Sequence, residues 1–278
     1  MIQATHTTPR PAATETTTTH GGTERPTALI TGASRGLGLE VARLLAGRGY
    51  GVVLTARGAD ALDALDAAAA ELGQQTDVVA LAGDVADRAH AARLVRAGLD
   101  RFGRIDALVN NASVVGPSPM PELHAYPLDA LADILAVNLL APLHLAQLVL
   151  PAMHAAGRGA IVNVSSDAGV QAYPGWGGYG ASKAALEHLS RTLAEELTGS
   201  GVRVYVVDPG DMDTVTHRLA EPGVDLSHLP APAASAPAIV RLIADETAPF
   251  RRVEAQAETL AAASAATSPP SEVIPTRG

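Results

Sequence analysis

Thr27-Ala28-Leu29-Ile30-Thr31-Gly32-Ala33-Ser34-Arg35-Gly36-Leu37-Gly38 decides how this chain folds. A β-forming run at 27–31 meets three glycines, and an amphipathic pattern follows over residues 36–48. Gly32 allows a tight turn, Gly36 lets the backbone approach a pyrophosphate, and Gly38 lets the following helix pack closely on the strand. The helix N-terminus offers free N–H groups and the positive end of its dipole to an anion. Ordinary turns also use glycines. The triplet reads as a phosphate cradle because it joins the first strand to the first helix of an alternating pattern.

That alternation runs through most of the chain. Further β-rich runs lie at 52–56, 77–82, 105–110, 160–165 and 202–208. Helical stretches fall near 36–48, 59–72, 87–102, 128–156 and 176–198. Strands separated by helices require right-handed crossovers, and hence a doubly wound parallel sheet in three layers. The runs are almost wholly apolar, as expected of strands covered on both faces. No repeat or composition shift divides residues 27–250, which read as a single α/β domain.

Outside it, residues 1–26 carry nine threonines and three prolines and no apolar run. They read as a disordered leader without a secretory signal. Residues 251–278 read as a partly disordered tail containing a frayed helix from about Ala261. The apolar stretch 131–153 is interrupted by Asn138, Pro142, His144, Gln147 and Pro151, which marks a core helix, not a membrane span.

Composition removes several functions. The 278 residues carry a net charge of −9, with no long basic run, so neither nucleic acid nor an anionic membrane is an expected partner. The absence of cysteine removes thiol nucleophiles, disulfides and Cys-ligated zinc. The nine histidines lack metal-ligand spacing, so no metal site is expected.

Further motifs follow the glycine loop in order. Asp84-Val85 comes after the third strand, Asn110-Asn111-Ala112 ends the fourth, and Asn138 lies in the long helix. Ser166 follows the fifth strand, Tyr179-Gly180-Ala181-Ser182-Lys183 opens the next helix, and Pro209-Gly210 with Thr214 follows the sixth strand. Together with the G-x3-G-x-G spacing, this set resembles the short-chain dehydrogenase/reductase family over about residues 26–246. The resemblance implies a Rossmann-type fold and a nicotinamide dinucleotide held by Gly32, Ser34, Arg35, Gly36, Leu37, Gly38, Arg57, Asp84, Val85, Asn111, Tyr179, Lys183, Pro209, Gly210 and Thr214. It also implies a cytoplasmic enzyme forming a homodimer through the long helix and its successor.

Charge selects the form of the cofactor. An acid closing the second strand would hold the 2′-hydroxyl of NAD, but that position is Ala56, followed by Arg57. With Arg35 in the glycine loop, two guanidiniums suit a 2′-phosphate, so NADP(H) is expected.

Tyr179 and Lys183, four apart at a helix start, share a face. A nearby ammonium favours a phenolate and is expected to draw the tyrosine toward the working pH. By resemblance, Lys183 also binds the nicotinamide ribose, Ser166 bonds the reacting oxygen, and Asn138 supports a proton relay. Lys183 is the only lysine in the chain. A planar guanidinium cannot simply take its place. Of the other tyrosines, Tyr173 is a candidate for the pocket wall, although an ordinary loop aromatic is the plainer role.

The expected pocket walls are 114–120, 169–176 and a lid at 211–232. They hold few cations, which suits an uncharged apolar or aromatic ketone. Two features depart from the family pattern. Ser113 stands where the Asn-Asn-Ala turn ends in glycine, and after Glu246 the usual last strand is missing, with only 252–255 left to form one. That places a tetramer in doubt. The expectation is an NADPH-dependent ketone reductase in which Tyr179 protonates the oxygen. Oxidation of a secondary alcohol, and a non-catalytic NADP(H)-sensing regulator, are the alternatives.

Overall fold

The computed structural model describes residues 16–18 and 25–267. Eight strands form one sheet: β1 (Thr16–Thr18), β2 (Thr27–Thr31), β3 (Gly51–Ala56), β4 (Val78–Ala82), β5 (Ala107–Asn110), β6 (Gly159–Val164), β7 (Val202–Asp208) and β8 (Phe250–Glu254). Their order is β1-β4-β3-β2-β5-β6-β7-β8. β2 to β8 run parallel, and the chain reverses direction across the sheet between β4 and β5, beside β2. That switch point opens the crevice used by ligands in open α/β sheets.

Successive β2 residues face opposite layers. Ala28 and Ile30 join a core with α1 (Gly36–Gly47), α2 (Ala59–Leu72) and α8 (Ala236–Ala244). Leu29 enters a second core with α3 (Arg88–Phe102), α5 (Ala141–Ala156) and α6 (Gly177–Glu196). All five β2 residues are buried, so the unbroken apolar run has its expected cause. The fold is the doubly wound, three-layered single domain that the alternation implies.

The long helix is not continuous. α4 (Leu128–Leu135) passes into a π-helical turn at Ala136–Leu140, and α5 follows. Pro142, four residues after Asn138, has no N–H for the Asn138 carbonyl. Ala141 N–H instead bonds the Ala136 carbonyl, five residues back. Residues 128–156 are long and apolar enough to cross a membrane. Here Ile134, Val137, Leu145, Val149 and Met153 are buried within the protein.

Two boundary expectations need correction. The leader contributes β1, which pairs antiparallel with β4 at Thr16↔Ala80, Thr17↔Val79 and Thr18↔Val78. It covers a sheet edge whose N–H and C=O groups would otherwise lack partners. The remainder of residues 1–24 lies outside the described residues. At the other end the sheet does not stop at residue 250: β8 pairs with β7 from Val204↔Phe250 to Asp208↔Glu254, and α9 (Ala255–Thr267) follows. The last strand is therefore present. Its sequence, Phe-Arg-Arg-Val-Glu, hides it because its charges are neutralised only in three dimensions. Arg251 pairs with Glu246 and Glu258, and Arg252 with Glu187 and Asp208. Residues 268–278 lie outside the described residues.

Candidate active site

The glycine loop is built as its spacing implies. Gly32 and Gly36 adopt φ of +65° and +58°, which L side chains rarely adopt. A Cβ on Gly38 would lie 2.5 Å from the Gly32 carbonyl oxygen, whereas one on Gly36 would meet nothing within 4 Å. The first fixes the helix against the turn, and the second leaves open space above the α1 N-terminus. No side chain caps α1 and no acid sits in its first turn. Its N–H groups are thus available to an anion.

A cleft of about 470 Å³ opens there, bounded by Gly32, Ser34, Arg35, Gly36, Leu37, Arg57, Val85, Asn111 and Thr214 among others. Arg57 donates to Asp84 at 2.7 Å, and Asp84 also accepts from the Ala86 N–H. Burial works to raise the Asp84 carboxyl, but the Ala86 and Arg57 hydrogen bonds outweigh it and hold it low. Arg35 is exposed and has no ion-pair partner among the described residues. Asn111 spends both amide donations on the carbonyls of Thr31 and Gly32, at 2.9 and 3.2 Å. Its side chain therefore ties the glycine loop to β5.

The adjoining cavity is lined by Ser166, Asp167, Trp176, Tyr179, Asp208, Pro209, Gly210, Asp211 and His217, with Val115, Met212 and Ala220 as apolar wall. Tyr179 and Lys183, on one face of α6, are 9% and 2% exposed. The Lys183 ammonium sits 5.4 Å from the Tyr179 ring centroid and donates to the Val164 carbonyl at 2.8 Å. Trp176 packs edge-on against the same ring. Thr214 caps the short α7 (Val215–Ala220) and lies where cleft and cavity meet. Pro209 and Gly210 stand on the cavity side.

The electrostatics reverse one expectation. Tyr179 is not drawn toward neutrality. Burial pushes it up to about 12, with Asp208 and Asp167 adding to the rise and the hydroxyls of Ser113 and Ser166 opposing it. Burial also brings Lys183 down to about 8, against the pull of Glu187. Desolvation dominates because both groups lie beneath the surface, and it penalises phenolate and ammonium alike.

Asn138 holds a supporting place. Its side-chain oxygen accepts from Val114 N–H at 2.9 Å and Ser113 Oγ at 3.2 Å. Its amide donates to the Val114 carbonyl and to Ser182 Oγ. The side chain thus pins the 113–114 turn to α6, and Lys183 is not among these partners. Ser113 is the residue that sequence reasoning undervalued: its hydroxyl serves both Asn138 and Tyr179. The departure from glycine at that turn was the available signal. The expected apolar pocket also needs correction, since three carboxylates, Asp167, Asp208 and Asp211, line the cavity.

The comparisons with known proteins agree with this geometry. A sequence model described as short chain dehydrogenase matches residues 26–223. The 2-(R)-hydroxypropyl-CoM dehydrogenase of Xanthobacter autotrophicus is 36% identical over 188 residues, 67% of this chain and 74% of that protein. The 3-oxoacyl-(acyl-carrier-protein) reductase FabG of Thermotoga maritima is 36% identical over 194 residues, 69% of this chain and 77% of that one. A metagenomic short-chain oxidoreductase solved in complex with NADP superposes with a TM-score of 0.69 at 32% identity, covering 84% of this chain and 99% of that one. With a glycine cradle at the sheet's switch point and a buried Tyr179–Lys183 pair beside it, the chain belongs to the short-chain dehydrogenase family of oxidoreductases.

Proposed function

We propose that the protein is an NADPH-dependent carbonyl reductase in which Tyr179 is the proton donor. The observation that carries this reading is a buried phenol, held protonated, facing a cavity that adjoins the cleft over the uncapped α1 N-terminus. A phenol with a pKa near 12 keeps its proton at neutral pH and can give it to a developing alkoxide. A bound dihydronicotinamide would supply the hydride to the carbonyl carbon. Ser166 would donate to the reacting oxygen as charge develops there. The phenolate left on Tyr179 would be received by Ser113 and by the Lys183 ammonium. Arg35 supports the choice of NADP(H) over NAD(H), with Arg57 once its bond to Asp84 yields to a 2′-phosphate. A relative named as a reductase and a structural neighbour holding NADP support the same assignment. The lining carboxylates disfavour anionic substrates, so an uncharged or cationic ketone is the preferred class. A cytoplasmic homodimer belongs to the same proposal.

The test is NADPH oxidation over a panel of ketones and quinones, run beside Tyr179→Phe. Loss of a general acid costs ~10²–10⁴-fold. The variant should lose turnover by that factor while binding NADPH as the parent does. Activity above about a tenth of the parent's would remove Tyr179 from the role.

A further inference from the structure

His90 is a buried imidazole that the mechanism does not use. It lies in the first turn of α3 and is 2% exposed, and its Nε2 stands 2.9 Å from the buried hydroxyl of Thr55. Thr55 precedes Ala56 and Arg57 at the end of β3, and both of those residues bound the cleft over the α1 N-terminus. The ring also abuts Gly83, just past the end of β4. A Cβ there would lie 2.2 Å from His90 Nδ1 and 2.4 Å from Cε1. Gly83 lines the same cleft and leads into Asp84, the ion-pair partner of Arg57.

Backbone bonds join these points from above. The Gly83 N–H donates to the Ala56 carbonyl at 2.9 Å, and the Ala33 N–H, in the glycine loop, donates to the Thr55 carbonyl at 3.1 Å. The imidazole thus stands under two strand ends and, through Thr55, under the glycine loop. Burial and Arg93 hold it below its ordinary range, against the pull of Asp87 and Asp84, so the ring is neutral at pH 7. A neutral ring carries one donor and one acceptor nitrogen. The bond to Thr55 satisfies two buried groups at once, and breaking it from either side leaves the other without its partner.

We propose that His90 is a positioning residue for the adenosine end of the dinucleotide, acting through Thr55 and Gly83 to hold the ends of β3 and β4 at the separation that presents Arg57 and the Asp84-Val85 turn to the cleft. This inference rests on the reading that the cleft takes NADP(H). The nicotinamide end depends on α6 and the Ser166 loop instead, so the two halves of the cofactor should respond differently to a change at His90.

The test is calorimetry on the whole protein with NADPH and with its halves, adenosine 2′,5′-bisphosphate and reduced nicotinamide mononucleotide. His90→Ala should raise the Kd of NADPH and of the bisphosphate about tenfold, the size of one buried hydrogen bond whose partner is left unsatisfied, and leave the mononucleotide within twofold. Thr55→Val keeps the shape and removes the hydroxyl. It should give the same pattern by a few-fold and serves if the alanine variant fails to fold. His90→Gln returns one donor and one acceptor to the same place and should bind both halves as the parent does. Gly83→Ala drives a methyl group into a ring that is too buried to swing clear, so it should also weaken the bisphosphate. Adding His90→Ala to it should recover part of that loss, because the methyl then fills the vacated space.

A purely structural role would lower Tm and weaken both halves alike. Equal losses for the two halves, no loss in either His90→Ala or Thr55→Val, a glutamine variant as weak as the alanine one, or a double variant no better than Gly83→Ala would overturn the proposal. A parent that binds no NADPH would overturn the cofactor reading and this proposal with it. Every other adverse result leaves NADPH binding in place and removes His90 alone.

Discussion

The lone lysine makes one energetic consequence of the site measurable. Burial lowers Lys183 from 10.5 to about 8, and only 2% of the residue is exposed. The unfolded chain therefore keeps the Lys183 proton between roughly pH 8 and 10.5, while the folded chain sheds it. Stability rises with pH wherever the unfolded state binds more protons. The charged amine thus costs the fold most below pH 8, and the cost is relieved as pH climbs through the folded pKa. With 1.36 kcal/mol per pKa unit, the full window is worth about 3 kcal/mol, and raising the pH from 7.5 to 9.5 should add about 2 kcal/mol. No other lysine titrates there. All five tyrosines are raised in the fold, Tyr179 and Tyr205 to about 12, and they oppose the trend as the unfolded phenols begin to ionise near pH 10.

The assay is urea unfolding from pH 7 to 9.5 for the parent and for Lys183→Met, which keeps the volume and removes the charge. The parent curve should rise and the variant's should stay flat. At neutral pH the two should lie within about 2 kcal/mol, because relief of the buried charge is offset by the Val164 carbonyl left without its donor. Parallel pH dependences would refute the claim that desolvation governs this amine.

Three further outcomes follow from named contacts. Gly38→Ala forces a Cβ to within 2.5 Å of the Gly32 carbonyl oxygen. It should cost about 1–3 kcal/mol and weaken NADPH binding more than it lowers Tm, as read by fluorescence titration beside thermal unfolding. Arg57→Asp places a second acid beside Asp84, so the NADPH-over-NADH ratio of kcat/KM should fall by roughly tenfold or more; an unchanged ratio would remove Arg57 from cofactor choice. Arg252→Ala strips Glu187 of a guanidinium held at 3.0 Å. Its buried carboxylate should then destabilise the fold by about 3–5 kcal/mol, and a Tm equal to the parent's would show that the pair contributes nothing.

The parts of the fold that were legible in the sequence rest on local rules. Residues 27–38 announced the cradle because each glycine answers a steric demand between neighbours in the chain. The Tyr179–Lys183 pair was legible because four residues make one helical turn. What stayed hidden was non-local. β8 reads as a charged loop until Glu187 and Asp208 are known to lie across from Arg252, and no periodicity conveys that. The sign of the Tyr179 shift could not be read from its distance to Lys183, since burial, a property of the whole assembly, dominates it. Tyr173 reads as an ordinary loop aromatic for the same reason: its spacing of six residues from Asp167 signals nothing until the loop brings hydroxyl and carboxylate to 2.7 Å.

The pairing of Arg252 with Glu187 also orders events in time. Arg252 leaves the ribosome 252 − 183 = 69 residues after Lys183. At about 5–20 residues per second, that is an interval of several seconds. During it, α6 can dock on β6 and β7, but Glu187 has no guanidinium to answer it, and its charge pulls the Lys183 ammonium upward. A nascent chain in that state holds the Glu187 carboxylate with the Ser165 hydroxyl but without its arginine. When β8 adds itself to the sheet, Arg252 answers the Glu187 carboxylate at 3.0 Å, while Glu187 goes on opposing the burial that lowers Lys183. A buried acid on α6 is thus answered only by a stretch of chain made well after it.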